Sequence, residues 1–174
     1  MQTKHCYIRP VLASDLDQML VWRNQPQVRE CMLTQHEISI EEHRQWFERC
    51  TNDPSRCLMI VEEGAMALGF VGFSGVGEDA VSTWGFYTAP AAPKGSGTKL
   101  GLTALEFAFE VMRVHKVCGQ ALAFNAASIR FHQKFGFLQE GVLRKQHKLN
   151  EQFHDLICFG LLREEWNIKS GQQE

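Results

Sequence analysis

The sequence predicts a single domain of the α/β (α+β) class. Short apolar runs with strand-like alternation are interspersed with segments that have the periodicity of amphipathic helices, in the order β-α-α-β-β-β-α-β-α-β-β. A chain of 174 residues is long enough to form one domain with its own core. No repeat or linker divides it, so we expect one domain over residues 1–168 and a disordered polar tail at residues 169–174.

The amino-terminal part predicts a strand followed by two helices. Residues 6–10 alternate like a strand that is terminated by its proline. A first helix begins at residues 14–15. It ends before Pro26, because a proline disfavours helical geometry in the residue that precedes it. Ser39 and Glu42 have the spacing of a capping box, which predicts the start of the second helix.

The rest of the chain predicts six strands and two helices. In order, these are strands at 56–62, 67–73 and 82–88, a helix from 98 to about 114, a strand at 117–124, a helix at 126–135, and a closing hairpin at 142–149 and 153–161. Leu105, Ala108, Phe109 and Met112 recur at helical spacing, which predicts that they belong to the core.

A glycine-rich turn, PKGSGTKL at residues 93–100, runs directly into the helix that begins near residue 98. Backbone N–H groups at a helix start, with no side chains in the way, can bind phosphate. Glycine weakens folding unless access to the backbone is needed, so Gly95 and Gly97 favour a binding role over a purely structural one. The turn lacks both the Gly-Lys-Ser/Thr of a phosphate loop and the third glycine of a dinucleotide motif.

A second motif follows, in which residues 125–128 (NAAS) lead into residues 131–137 (FHQKFGF). Together the two motifs resemble the GCN5-related N-acetyltransferase (GNAT) superfamily. In that superfamily the turn binds the pyrophosphate of acetyl-CoA, and the later helix flanks the pantetheine thiol. The resemblance implies a GNAT fold with a mixed central β-sheet flanked by helices, and acetyl-CoA as co-substrate without a metal. Ala92 replaces the family's leading Arg/Gln, and either Lys94 or Lys99 can supply the missing charge.

The resemblance also implies roles for individual residues. Main-chain amides near Phe86 and Tyr87 would polarise the thioester carbonyl. The implied cofactor contacts are Phe86, Tyr87, Lys94, Gly95, Ser96, Gly97, Thr98, Lys99, Asn125 and Ser128. Asn125 is equally well suited to cap the helix that begins at Ala126. His132 stands where the family usually has a tyrosine, which makes it a candidate general acid for the thiolate. The alternative is a surface histidine, with water as the acid.

The first third of the chain carries the acceptor signals. Residues 22–24 (WRN) and 43–47 (HRQWF) are similar to the amino-sugar-nucleotide N-acetyltransferases of pseudaminic acid biosynthesis. That resemblance implies direct transfer, in a ternary complex, to the 4-amino group of UDP-4-amino-4,6-dideoxy-N-acetyl-β-L-altrosamine, in a pathway that decorates flagellin. Arginine suits a diphosphate, because its planar fork binds two oxygens. The candidate acceptor contacts are Arg23, Arg29, His43, Trp46, Thr83 and Trp84.

Each of these side chains also has a simpler interpretation. The two arginines suit a solvated helix face, Trp46 suits the core, and His43 suits an exposed surface. Two other functions stay open. One is peptide N-terminal acetylation of the RimJ/RimL type, which predicts a more acidic cleft. The other is an acetyl-CoA-binding module without turnover.

Composition limits the partners and the compartment. A net charge of −2 gives no electrostatic reason to expect a nucleic acid or a membrane as partner. No apolar run approaches the ~20 residues of a membrane span, and residues 1–5 lack the apolar core of a signal peptide. We therefore expect a cytoplasmic protein that acts on a small-molecule acceptor, with a homodimer as a further expectation. The six cysteines include no Cys-x-x-Cys pair, which predicts reduced thiols and no zinc site.

Overall fold

The chain is built on a mixed β-sheet with helices on both faces. A computed structural model describes residues 6–170, with side chains as far as Trp166. Over this range the sheet has seven strands in the order β1-β2-β3-β4-β5-β7-β6. The strands are β1 (Cys6–Pro10), β2 (Arg56–Glu63), β3 (Met66–Ser74), β4 (Val81–Thr88), β5 (Lys116–Leu122), β6 (Leu138–Leu149) and β7 (Gln152–Leu162). Neighbouring strands in this range are antiparallel except for β4 and β5, which are parallel.

The helices divide between the two faces of the sheet. They are α1 (Leu16–Asn24), α2 (Pro26–Arg29), α3 (Ile40–Thr51), α4 (Ser96–Glu106), α5 (Ala126–Lys134) and α6 (Arg163–Ser170). Successive residues of a strand point to opposite faces. Ile60 and Phe70 therefore pack in one core with residues of α1, whereas Val61 and Val71 pack in the other with residues of α4. Over the described residues, no helix combines the length and apolar character needed to cross a bilayer.

The structure confirms the predicted fold class and has the predicted strands and helices in the predicted order, with two further helices, α2 and α6. Ser39 Oγ accepts the Glu42 N–H at 3.1 Å, as the capping box predicts. The Glu42 carboxylate does not complete the box, because it binds His36 instead. The helix predicted from residue 98 begins at Ser96, and its last turn widens into a π-helix over Phe107–Val111.

The carboxyl-terminal helix α6 was not predicted. It extends through Ser170, so it includes residues 169–170, which the sequence analysis assigns to the polar tail. Residues 171–174 of that tail lie outside the described residues. The physical reason for the helix is burial, because Trp166 is 6% exposed and stacks on Phe109 with 5.9 Å between ring centroids. The side chain of Glu165 also accepts the N–H of Leu162 at 2.9 Å, which anchors the first turn.

The two parallel strands separate part of the way along their length. β4 and β5 pair only from Val81 opposite Lys116 to Thr83 opposite Cys118. β4 nevertheless continues to Thr88 and β5 to Leu122. Beyond Thr83, the edge of β4 that faces away from β3 pairs with no strand among residues 6–170, so its backbone N–H and C=O groups are available to a ligand.

Candidate active site

A cleft of about 440 Å³ opens over the α1 and α3 face of the sheet, next to this gap between β4 and β5. The structure brings seven of the predicted site residues into its lining. They are Arg23, His43, Trp46, Thr83, Trp84, Phe86 and Tyr87. Arg29 does not line the cleft; it lies on α2 with its Nη1 3.8 Å from Glu37. The sequence did not single out Arg49, Arg56 or the glycines at 72 and 85, which also line the cleft.

Two nitrogens in this cleft are buried without a partner. Among the described side chains, the buried polar atoms that lack a hydrogen bond are Arg23 Nη1 and His43 Nε2. Arg23 Nη2 does donate to the Thr34 carbonyl at 2.7 Å, so the guanidinium is half satisfied. Leaving a buried polar group unpaired costs about 1–3 kcal/mol. Unpaired buried nitrogens in a cleft therefore indicate a ligand that forms the missing hydrogen bonds.

Burial sets the protonation states in the cleft. The pKa of His43 is lowered, first by burial and then by the nearby Arg23 charge, while a hydrogen bond to the Leu16 backbone opposes the shift. The imidazole is therefore neutral near pH 7. Burial also raises the pKa of Tyr87, against the pull of Arg23, so its phenol stays protonated and can donate. His43 is 5% exposed, and its ring stacks on Trp46 at 5.1 Å. Its interpretation as an exposed histidine is therefore wrong.

The charges around the cleft are unequal. Its lining holds three arginines, Arg23, Arg49 and Arg56, against one carboxylate, that of Glu42. That carboxylate is 3.0 Å from the ring of His36. The lining therefore favours an anionic ligand over a cationic one. The more acidic cleft expected for a peptide acceptor is not present.

The glycine turn has the geometry of an anion seat. Gly95 is the N-cap of α4 and has φ +94°, a conformation that glycine tolerates and other residues rarely adopt. The N–H groups of Ser96, Thr98 and Lys99 bond to carbonyls within the turn. Over the described residues, the N–H groups of Gly95 and Gly97 have no backbone acceptor. They are available to a phosphate at the start of the helix.

The cations near this turn differ from those expected. Lys99 forms an ion pair with Glu63, which holds its ammonium toward the turn between β2 and β3. Lys94 is exposed and makes no ion pair within the described residues. Lys134, which was not predicted to bind cofactor, reaches from α5 and donates to Thr98 Oγ1 at 2.7 Å. The sequence could have indicated it only through the pairing of α5 with α4, which no local pattern shows.

His132 is buried, at 1% exposure, so the alternative interpretation of it as a surface histidine is wrong. Its Nε2 accepts the indole N–H of Trp84 at 3.2 Å. Its Nδ1 donates to the Ser128 carbonyl at 2.8 Å. Both ring nitrogens are thus occupied within the protein, and burial lowers the pKa of the imidazole. The geometry therefore favours a positioning role over donation of a proton to a thiolate.

The remaining predicted residues have structural roles in addition to any contact with cofactor. Asn125 Oδ1 accepts the Ser128 N–H at 3.0 Å, which confirms it as the N-cap of α5. Trp46 lines the cleft while its ring meets Phe70 edge-on at 5.9 Å, so it serves the core and the cleft together. Over the described residues, no group of three or more His, Cys, Asp or Glu side chains is close enough to hold a metal ion.

Comparison with known proteins identifies the family. Residues 5–138, most of the chain, match the family model of the acetyltransferase (GNAT) domain. The chain therefore belongs to the GNAT acetyltransferase family. This confirms the family predicted from the two sequence motifs.

Three individual proteins illustrate the range of relatives. The SPbeta prophage-derived uncharacterized N-acetyltransferase YokL of Bacillus subtilis is 39% identical over 92 residues, 51% of this chain and 52% of YokL. The match therefore spans about half the length of that curated relative. Acetyltransferase PseH of Campylobacter jejuni is 23% identical over 125 residues, which are 72% of this chain and 78% of PseH. Spermidine N-acetyltransferase from Vibrio cholerae, in complex with CoA and spermine, superposes with a TM-score of 0.85 at 18% identity, over 95% of this chain and 99% of that one. At that identity the likeness shows the fold alone.

Proposed function

We propose that the protein transfers the acetyl group of acetyl-CoA to the amine of an anionic amino-sugar nucleotide. The specific acceptor we propose is the 4-amino group of UDP-4-amino-4,6-dideoxy-N-acetyl-β-L-altrosamine, the reaction of pseudaminic acid biosynthesis. The observation that carries this proposal is the buried, unpaired Arg23 Nη1 in a cleft lined by arginines. The distant similarity to PseH agrees with it.

A diphosphate suits this cleft on electrostatic grounds. A phosphate oxygen can accept from Arg23 Nη1 in a charge-assisted hydrogen bond, which is stronger than a neutral one. Arg49 adds positive charge along the same lining, as does Arg56, whose Nε lies 3.5 Å from the Asp53 carboxylate. A polyamine would instead place ammonium groups beside these guanidinium groups, and like charges are costly when they meet without water. The cleft therefore favours a sugar nucleotide over the polyamine bound by the structural neighbour.

The apolar part of the lining suits the rest of such an acceptor. Trp46 offers a ring face beside His43, and Tyr87 lies 5.2 Å from Phe70 behind it. Aromatic faces of this kind stack on a nucleobase or on the apolar face of a sugar. His43 Nε2 is a bare acceptor, so it can receive an N–H or O–H of the sugar.

The mechanism is direct transfer in a ternary complex. The acceptor amine attacks the thioester carbonyl, a C–N bond forms, and the C–S bond to CoA breaks. Backbone N–H groups near Phe86 and Tyr87, on the open edge of β4, stabilise the oxyanion. The neutral His43 takes the proton that the amine loses. The departing thiolate takes its proton from water, because the N–H of His132 is held by the Ser128 carbonyl.

The test measures CoA release with acetyl-CoA and a panel of acceptors, with mass spectrometry of the product. The panel contains the UDP-4-amino sugar, N-terminal peptides and spermidine. We expect turnover of the sugar nucleotide and a large loss in Arg23→Ala. Arg44→Ala is the matched control, because Arg44 is an exposed arginine of α3 outside the cleft lining. Turnover of peptides alone would support RimJ/RimL-type activity. Binding of acetyl-CoA without turnover of any acceptor would support the binding module.

A further inference from the structure

Two glycines face each other in the floor of the cleft. Gly72 of β3 and Gly85 of β4 are register partners, and both line the cleft. A Cβ added at Gly85 would meet no atom within 4 Å, whereas one at Gly72 would lie 3.0 Å from Phe70 Cζ. The floor therefore has a notch at Gly85 that the protein itself does not fill.

Nothing in the fold requires glycine at this position. The φ of Gly85 is outside the left-handed region, and no neighbouring atom excludes a side chain. Glycine inside a strand weakens folding, because it loses more backbone entropy and has no side chain to pack. Because glycine weakens the strand here and no contact in the described residues requires it, the open space at Gly85 favours a ligand-binding role.

The position of the notch relates it to the reaction. Gly85 directly precedes Phe86, at the start of the stretch of β4 that lacks a partner on the β5 side. Thr83, Gly85 and Tyr87 point to one face of the strand, and Tyr87 packs on that face against Phe70. The same cleft contains the unpaired Nε2 of His43, a side chain that is 5% exposed. This unpaired atom is a second, independent indication that the cleft that contains Gly85 binds a ligand.

We propose that Gly85 is a specificity-determining residue that makes room for a branched carbon bearing the acceptor amine. An amine on a ring carbon, or on any carbon with two carbon substituents, is wider at the reacting end than an amine on a CH₂ group. The notch accepts this extra width while the amine nitrogen approaches the carbonyl from the side of β4. This inference rests on the proposed acetyl transfer and adds the class of amine.

Gly85→Val fills the notch and tests the inference directly. Gly141→Val is the matched control, since Gly141 also lies in a strand, has nothing within 4 Å of an added Cβ, and is not among the residues that line the cleft. We expect Gly85→Val to lower kcat/KM for a branched amine by about 10- to 200-fold, the range for a small change in pocket fit. Its acetyl-CoA Kd should stay within twofold. Its Tm should be equal or higher, because valine favours strands. Gly85→Ala should give a smaller loss.

The acceptors are the UDP-4-amino sugar, a peptide with a free N-terminal alanine, and spermidine. The first two carry the amine on a branched carbon and spermidine does not. If the wild type acetylates the peptide but not the sugar, the proposed acceptor fails, and loss of peptide turnover in Gly85→Val still supports the notch. Unchanged turnover of the branched amine in Gly85→Val overturns the proposed role of Gly85. A higher acetyl-CoA Kd in that variant also overturns it. Wild-type turnover of spermidine alone, or of none of the three, overturns both ideas.

Discussion

Replacing Arg23 by methionine should separate function from stability. The substitution removes the guanidinium and keeps an apolar stem of similar length. In the folded enzyme the guanidinium makes one hydrogen bond, to the Thr34 carbonyl, and leaves Nη1 buried without a partner. Burial also lowers the pKa of the group, which shows that its charge is held at a cost. Under the proposed function, a hydrogen bond from Arg23 to the acceptor offsets this cost.

The magnitudes follow from these contacts. Losing the bond to Thr34 costs about 0.5–1.5 kcal/mol, while removing the unpaired buried donor returns about 1–3 kcal/mol. The free energy of unfolding should therefore change by between about −0.5 and about +2.5 kcal/mol. A charged hydrogen bond to the acceptor phosphate is worth about 1.5–3 kcal/mol, which is ~10- to 150-fold in kcat/KM.

The assay pairs urea unfolding with acceptor kinetics at saturating acetyl-CoA. Arg44→Met on the exposed side of α3 serves as the control. Two results would refute the reasoning. One is a kcat/KM within twofold of the wild type, because Arg23 would then bind no acceptor. The other is a loss of more than about 2 kcal/mol in stability, because the guanidinium would then be a structural group after all.

Three further predictions concern the other parts of the site. First, kcat/KM for the acceptor should fall at acid pH with an apparent pKa below 6.5, because burial and Arg23 lower the pKa of His43 and only the neutral ring accepts a proton. The pH–rate profile of His43→Gln should lack this fall at acid pH. If the variant retains it, His43 is not the base. Second, Gly119→Ala should destabilise the fold by about 1–3 kcal/mol in urea unfolding. An added Cβ would collide with His132 Nε2 and Trp84 Nε1, which are joined by a hydrogen bond. An unchanged unfolding midpoint would mean that this hydrogen bond does not constrain the strands. Third, Lys134→Ala should raise the acetyl-CoA Kd more than Lys99→Ala does, because Lys134 donates to Thr98 in the glycine turn whereas Lys99 is paired with Glu63. Isothermal titration calorimetry measures both Kd values. A larger increase in Lys99→Ala would indicate that Lys99 binds the cofactor.

Local patterns predicted what depends on neighbours in the sequence. The alternation at residues 6–10, the cap at Ser39 and the glycine turn all act within a few residues, and each has the predicted structure. The pairing of Gly72 with Gly85 and the contact of Lys134 with Thr98 depend instead on strand register and helix packing. No local pattern carries that information. The helix α6 was missed for the same reason, since its stability comes from the docking of Trp166.

Position in a motif also failed to predict the environment of His132. The motif places it where the family's acid usually stands, but the bond from Trp84 and the bond to Ser128 occupy its ring within the core. Its pKa is lowered by burial. As pH falls below its ordinary value of 6.5, the unfolded chain takes up a proton that the folded ring resists. Protonation of His132 therefore lowers the free energy of unfolding below pH 6.5 and does not affect it above that pH.

A proton taken from water instead of a side chain agrees with the mechanism that we propose for the cleft. A thiolate leaves readily and needs little help from an acid, because the ordinary pKa of a thiol is about 8.5. The attacking amine is the group that needs help, since only its neutral form is nucleophilic. Arg23, Arg49 and Arg56 raise the local potential, which lowers the pKa of an amine bound among them. In the proposed mechanism, the neutral His43 then takes the remaining proton. On that mechanism the cleft activates the nucleophile, whereas the hydrogen bond between Trp84 and His132 lies where β4 and β5 separate.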